Sequence, residues 1–209
     1  MKSGLQFNPD AALTHLRAQD PILGALIERT GPFSLQPPRT NNLFSALLRS
    51  IVYQQLHGKA AATILKRVHA VLETHGGPTP AACLAASDEA LRAAGMSRAK
   101  LGAARDLAAK CQAGSVPDWR EAKKLADEEL IARLTAVRGI GPWTVHMLLI
   151  FHLGRPDVMP TGDFAIRLAF KKLYRKRADP TPATLLKHAR CWQPYRSVAS
   201  WYLWRSLDA

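Results

Sequence analysis

The chain has 209 residues, 47% of them hydrophobic, which is enough to bury a sizeable core as one domain or two packed lobes and too apolar for a disordered tail. Lys and Arg number 29 against 16 Asp and Glu, and the net charge of +13 favours a polyanionic partner such as nucleic acid over a neutral metabolite. The three cysteines, Cys83, Cys111 and Cys191, are far apart and show no Cys-x-x-Cys spacing, so they read as reduced thiols of a cytoplasmic protein and cannot supply the four ligands of an iron–sulfur cluster.

The first ten residues carry no apolar run after their lysine, and no later stretch approaches membrane-spanning length, so neither export nor a membrane partner is expected. From there apolar residues recur at helical spacing and strand-like alternation is scarce, which predicts an all-α protein. Gly31 to Asn42 reads as a crossover between lobes. Leu43, Phe44, Leu47, Leu48, Ile51, Val52 and Leu56 trace one face of a long core helix. A second helix starts near Lys59, turns Ile64, Val68, Val71 and Leu72 inward, and ends at Gly76-Gly77-Pro78. Ser87-Asp88-Glu89 opens a short helix that stops at Gly95, and Arg98 to Gln112 forms the next, closed by Gly114.

After a loop at Val116-Pro117-Asp118-Trp119, two helices at Asp127–Val137 and Trp143–Leu153 flank the turn Arg138-Gly139-Ile140-Gly141-Pro142, a helix-hairpin-helix. Gly139 and Gly141 let the backbone turn tightly and approach a ligand closely, so N–H groups at the start of the following helix can point at a phosphate. The prolines of Gly154 to Pro160 make a loop, and Pro160-Thr161-Gly162-Asp163 leads into a helix running to Arg175. Thr181-Pro182 starts another helix, and Pro194 opens the last, which carries Trp201 and Trp204. Between Phe164 and Leu207 stand ten basic residues, Arg167, Lys171, Lys172, Arg175, Lys176, Arg177, Lys187, Arg190, Arg196 and Arg205, against the single acid Asp179. Such clustering suits a phosphate backbone. The seven histidines, His57, His146 and His152 among them, lack metal-binding spacing and are read as packing or phosphate-contacting groups.

Three separated motifs, Ile51-Val52-Tyr53-Gln54-Gln55-Leu56, Val137 to Thr144 and Pro160 to Arg167, together with the tail Trp192-Gln193-Pro194-Tyr195-Arg196-Ser197 to Trp204, resemble the helix-hairpin-helix DNA glycosylases whose Gly/Pro-rich loop ends in Asp (the HhH-GPD superfamily). The resemblance covers most of the chain from about Pro32 to Arg205 and is strongest to the bacterial DNA-3-methyladenine glycosylase II group. It implies a two-lobed all-α fold with a DNA-binding cleft between the lobes, one lobe from 1–36 plus 177–209 and the other from 37–176 with the hairpin at 127–153. The additional β-domain of that group should be absent.

The resemblance also implies roles. Asp163 is the catalytic carboxylate, a residue type suited to the positive charge that develops on a sugar as its N-glycosidic bond breaks; the same side chain also suits a helix cap. Trp143 stands where strand-cutting relatives carry a Schiff-base lysine, so water should be the nucleophile and the product an abasic site. Trp143, Trp204, Met147 and Tyr53 are the implied base pocket, their electron-rich rings suited to a flipped, cationic alkylpurine of the N3-methyladenine or N7-methylguanine class. Met147 and Arg205 replace aromatics of the group, which makes the expected pocket less aromatic. Gln54, Gln55, Leu56 and His57 form the turn that fills the hole left by the flipped base, with Gln55 in the wedge position and Leu56 its apolar competitor. Gly139, Gly141, Trp143 and Thr144 supply phosphate-binding amides, and the carbonyls of Thr135, Val137 and Ile140 are implied ligands for a structural Na+ or K+. No cofactor is required.

The reading is thus a monomeric base-excision repair enzyme for alkylated double-stranded DNA, cytoplasmic and nucleoid-associated when bound. Two alternatives stand beside it. A non-catalytic damaged-DNA-binding module would bind without releasing base, and a bifunctional lyase for oxidised bases would need an amine near the hairpin, with Lys59 or Lys171 as the candidates.

Overall fold

The computed structural model describes residues 4–38 and 41–208, and among them every regular element is helical. Most helices begin where a short polar side chain accepts the first unpaired N–H groups. Asn8 caps α1 (Pro9–Gln19) and Asp20 caps α2 (Pro21–Thr30), each with proline in the tolerated first turn. Asn42 caps α3 (Leu43–Tyr53), and α4 (Gly58–Glu73) follows. Thr79, Ser87, Ser97 and Asp118 cap α5 (Pro80–Ala85), α6 (Asp88–Ala93), α7 (Arg98–Gln112) and α8 (Trp119–Ala122). After α9 (Asp127–Thr135) and α10 (Pro142–Phe151), Asp163 caps α11 (Phe164–Leu173) and Thr181 caps α12 (Pro182–His188). A 3₁₀ turn at Ala189–Trp192 leads to α13 (Arg196–Arg205).

The chain divides into two compact units, one of residues 1–39 with 146–209 and one of residues 40–145. The second division lies inside α10, not at the expected residue 177. The physical reason is that α11 packs on α13, so Phe164–Leu173 shares its core with the C-terminal helices. That core holds Leu16, Leu23, Ile27, Phe170, Trp192 and Tyr202, all fully buried. Each such side chain contributes about 1.5–3 kcal/mol relative to exposure. In the other unit α3 buries the Leu43, Phe44, Leu47, Leu48, Ile51 and Val52 face that its periodicity predicts, and packs on α4 and α7.

One buried acid ties the first unit together. Asp20 caps α2 through Oδ1, while its Oδ2 accepts from the Tyr174 hydroxyl at 2.6 Å, the Trp192 indole at 2.9 Å and His188 Nε2 at 3.1 Å. Burial pushes this carboxyl up, but the hydrogen bonds from His188, Tyr174, the Leu23 N–H and Trp192 outweigh it and hold the group well below the usual carboxylate range.

Three local expectations change. The helix from Leu43 stops at Tyr53 before reaching Leu56, because Gln54 leaves the helical region and Gln55 takes φ +57°. Trp119 starts a short helix where a loop was expected, with Asp118 accepting the Glu121 N–H at 2.7 Å. Pro194 lies in the turn before the last helix, which opens at Arg196. Among the described residues no helix is long and apolar enough to cross a membrane, and all three cysteines are free thiols.

Candidate active site and nucleic-acid interface

In the unit of residues 40–145 the helix-hairpin-helix turn is closed by main-chain bonds from Val137 N to Leu134 O and from Ile140 N to Val137 O, both 3.1 Å. Gly139 sits at φ +77°, the left-handed region that a side chain disfavours, so the fold itself needs glycine there. Gly141 differs. Its φ lies outside that region, and an added Cβ would meet open space. Nothing within the protein therefore demands glycine at Gly141.

Two side-chain contacts with no counterpart in the sequence reading hold this turn. The Gln54 amide donates to Gly139 O at 2.7 Å. Asp106, on α7, accepts the Arg138 N–H at 2.7 Å and the Lys110 ammonium at 2.5 Å. That main-chain bond, with Lys110 behind it, holds the Asp106 carboxyl below its ordinary value. Gln54 lies in the first of the three motifs and Asp106 in none, but both contacts join residues distant in the chain, so only the fold reveals them. Of the expected phosphate-binding residues, Thr144 is buried and Trp143 is half-exposed, at 50%. Thr135 ends α9, and the carbonyls of Thr135, Val137 and Ile140 belong to this turn, that of Val137 already accepting one hydrogen bond.

The turn after α3 presents Gln55 in its left-handed conformation, exposed, followed by Leu56 at 38% exposure and His57, which precedes α4 and makes no side-chain cap bond. Tyr53, expected in the base pocket, has one ring face covered by the Arg49 guanidinium, whose carbon lies 3.9 Å from the ring centroid.

In the other unit, the loop before Asp163 is pinned to the start of α13. Arg196 pairs with Asp157 at 2.6 Å, and Ser197 Oγ accepts the Val158 N–H at 2.9 Å. Asp163 is 8% exposed, and its Oδ1 accepts the Ile166 N–H at 2.8 Å and the Trp204 indole N–H at 3.3 Å. The capping role is therefore real, and it holds the carboxylate at the tip of α11 without precluding chemistry. Trp204 is half-buried, its ring 5.3 Å from Phe151. Met147 is half-buried on α10, and Phe164, next to Asp163, is 70% exposed. Arg205 lies over Trp201 and pairs with Asp208. Burial lowers the pKa of His146, on α10, whose Nδ1 is buried without a hydrogen-bond partner. Lys171 pairs with Asp179 at 2.7 Å, and Lys59 is exposed in the first turn of α4.

Among the described residues one group, Asp20, His188 and Cys191, brings three potential metal-ligating atoms together. Its atoms are engaged otherwise, Asp20 Oδ2 by three donors and the Cys191 thiol by the His188 carbonyl at 3.1 Å, so it is a structural knot.

The chain is similar to known proteins over nearly its whole length. It is 38% identical to the DNA-3-methyladenine glycosylase 1 of Schizosaccharomyces pombe, covering 92% of this chain and 85% of that protein. The solved structure of that organism's 3-methyladenine DNA glycosylase in complex with abasic DNA matches with a TM-score of 0.82 and 37% identity, covering 95% and 97% of the two chains. The crystal structure of a DNA-3-methyladenine glycosidase from Bacillus halodurans matches with a TM-score of 0.85 and 36% identity, over 99% of this chain and 92% of the other. Residues 48–194, which contain the Gln54 turn, the glycine hairpin and Asp163, match the model of the HhH-GPD superfamily of base excision DNA repair proteins, and the chain belongs to that family.

Proposed function

We propose that the protein is an alkylbase DNA glycosylase of base excision repair, an N-glycosylase that releases 3-methyladenine-type purines by hydrolysis. The observation that carries this reading is Asp163: a carboxylate 8% exposed, fixed by two N–H donors, in the family's loop. In the reaction the bond between the sugar C1′ and the purine breaks, with its electron pair leaving on the base. A cationic alkylpurine departs neutral, so it needs little help from a general acid. Positive charge gathers on the sugar, where a preoriented carboxylate stabilises it. Water then adds to C1′ and gives its proton to solvent, leaving an abasic site.

The other roles follow from the residues' positions and chemistry. Trp143, Trp204, Met147 and Tyr53 are assigned to the extruded base by the chemistry of their side chains. The exposed Gln55, with Leu56 beside it, is assigned to the gap in the duplex, flanked by Gln54 and His57. Amides of the hairpin at Gly139, Gly141, Trp143 and Thr144 are assigned to a backbone phosphate, a contact that positions without reading sequence. The main-chain carbonyls of Thr135, Val137 and Ile140 are oxygen donors of the kind a hard cation takes, and they would hold Na+ or K+ as a brace for this turn. With an indole at Trp143 and Lys171 paired with Asp179, water is assigned as the nucleophile and the strand as uncut, and Lys59 is the amine that borohydride trapping tests.

The test is a release assay on methylated duplex DNA. The wild-type protein should liberate methyladenine and resist borohydride trapping. Asp163→Asn should lose release while binding an abasic duplex as before; undiminished release by this variant would remove Asp163 from the mechanism.

A further inference from the structure

The geometry points to Trp204 as a positioning residue for the Asp163 carboxylate, acting through its indole N–H; this rests on the reading of Asp163 as the catalytic group. Asp163 Oδ1 receives two donors from two different helices. The Ile166 N–H, at 2.8 Å, belongs to the first turn of α11 and ties the oxygen to Asp163's own helix. A cap bond alone leaves the carboxylate plane free to turn about its last torsion, a soft and broad well. The Trp204 indole, at 3.3 Å, approaches from α13 and adds a second restraint on the same oxygen from a different helix.

The donor is itself braced. The Trp204 ring lies against Phe151, with centroids 5.3 Å apart and planes at 35°. The first turn of α13 is fixed to the loop leading to Asp163, through Arg196 with Asp157 and through Ser197 with Val158. One helix thus sets both the approach of the chain to Asp163 and the orientation of the acid. A carboxylate stabilises a developing cation best when its direction is set beforehand and it need not reorient as charge appears. A wall of the base pocket needs only an aromatic face. The indole N–H is what separates the two roles, and it is spent on Asp163.

The decisive variant is Trp204→Phe, which keeps an aromatic ring against Phe151 and deletes the donor. For single-turnover release of methyladenine we expect kcat to fall by about ten-fold, the size of one hydrogen bond to a charged group. KM and affinity for an abasic duplex should stay within about two-fold of wild type. A rise in KM with kcat unchanged would make Trp204 a pocket wall only and overturn the inference. The second measurement needs no folded Trp204 variant. In 15N spectra of the wild-type protein, the Trp204 indole N–H should stand apart from the other indoles and move toward them in Asp163→Ala; an unmoved resonance overturns the inference as well. Undiminished release by Asp163→Asn would sink the catalytic reading instead, and the indole spectrum would still report whether the hydrogen bond exists.

Discussion

The side-chain amide of Gln54 donates to the main-chain carbonyl of Gly139 at 2.7 Å, joining two turns that lie 85 residues apart in sequence. One turn presents Gln55 and Leu56 and the other is the glycine hairpin, so the bond sets the spacing between the two elements assigned to DNA within one unit. Gln54→Ala should weaken binding to an abasic duplex by roughly five-fold, the value of about one neutral hydrogen bond. The salt dependence of binding should keep its slope, since no cation is lost. Fluorescence anisotropy at several salt concentrations checks both, and unchanged affinity would mean that the turns hold their spacing without this bond.

The two hairpin glycines should behave oppositely. Gly139 is left-handed, so Gly139→Ala should cost about 1–2 kcal/mol of stability. Gly141→Ala should leave the melting temperature alone, because its Cβ would enter open space. If the hairpin amides hold a phosphate as proposed, that same Cβ crowds it, and affinity should drop while the apo protein stays as stable as wild type. Paired thermal melts and binding titrations separate the cases; Gly141→Ala binding normally would show that no ligand approaches that close.

Helices, caps and the three motifs were legible because each depends on neighbours in sequence: a Ser, Thr, Asp or Asn before an apolar period, a glycine after it. Asp163 was legible as both a cap and a candidate acid, and it is a cap in fact. What escaped sequence reading depends on tertiary approach. Gln54 on Gly139, Asp106 on the Arg138 amide and Trp204 on Asp163 pair residues with no periodic relation. The division of the chain inside α10 escaped for a similar reason, since the helix is apolar almost throughout and shows no seam. Periodicity alone runs α3 on to Leu56, which continues the apolar spacing, whereas the motif places a turn at Gln54 to His57, where Gln55 is left-handed.

Asp20 predicts an acid-sensitive fold. Its carboxyl is lowered in the folded state, so the stabilisation it gives is complete above the ordinary carboxylate value near 3.8 and is lost as pH falls through the folded value. Asp20→Ala removes the α2 cap and leaves the Tyr174 hydroxyl and the Trp192 N–H without their acceptor. The cost at neutral pH should be about 3–5 kcal/mol. Denaturant unfolding of both proteins at pH 7 and at pH 2.5 tests this. The gap between them should narrow in acid, and a gap that is small at pH 7 would deny Asp20 its central place.

His146 should impose a second, milder pH dependence. Burial lowers its pKa from the ordinary 6.5, and its Nδ1 is buried with no hydrogen-bond partner to receive the extra proton's charge. The folded protein therefore prefers the neutral ring. The sign follows from proton counting: below 6.5 the unfolded chain binds the proton more readily, so stability is complete above that value and declines as pH drops toward the folded pKa. The melting temperature of the wild-type protein should fall between pH 7.5 and 5.5. His146→Gln, which cannot take up the proton, should flatten part of that fall, and the difference between the two curves isolates His146 from the other six histidines. Parallel curves would mean that His146 reaches water on protonation and that α10 opens locally to let it.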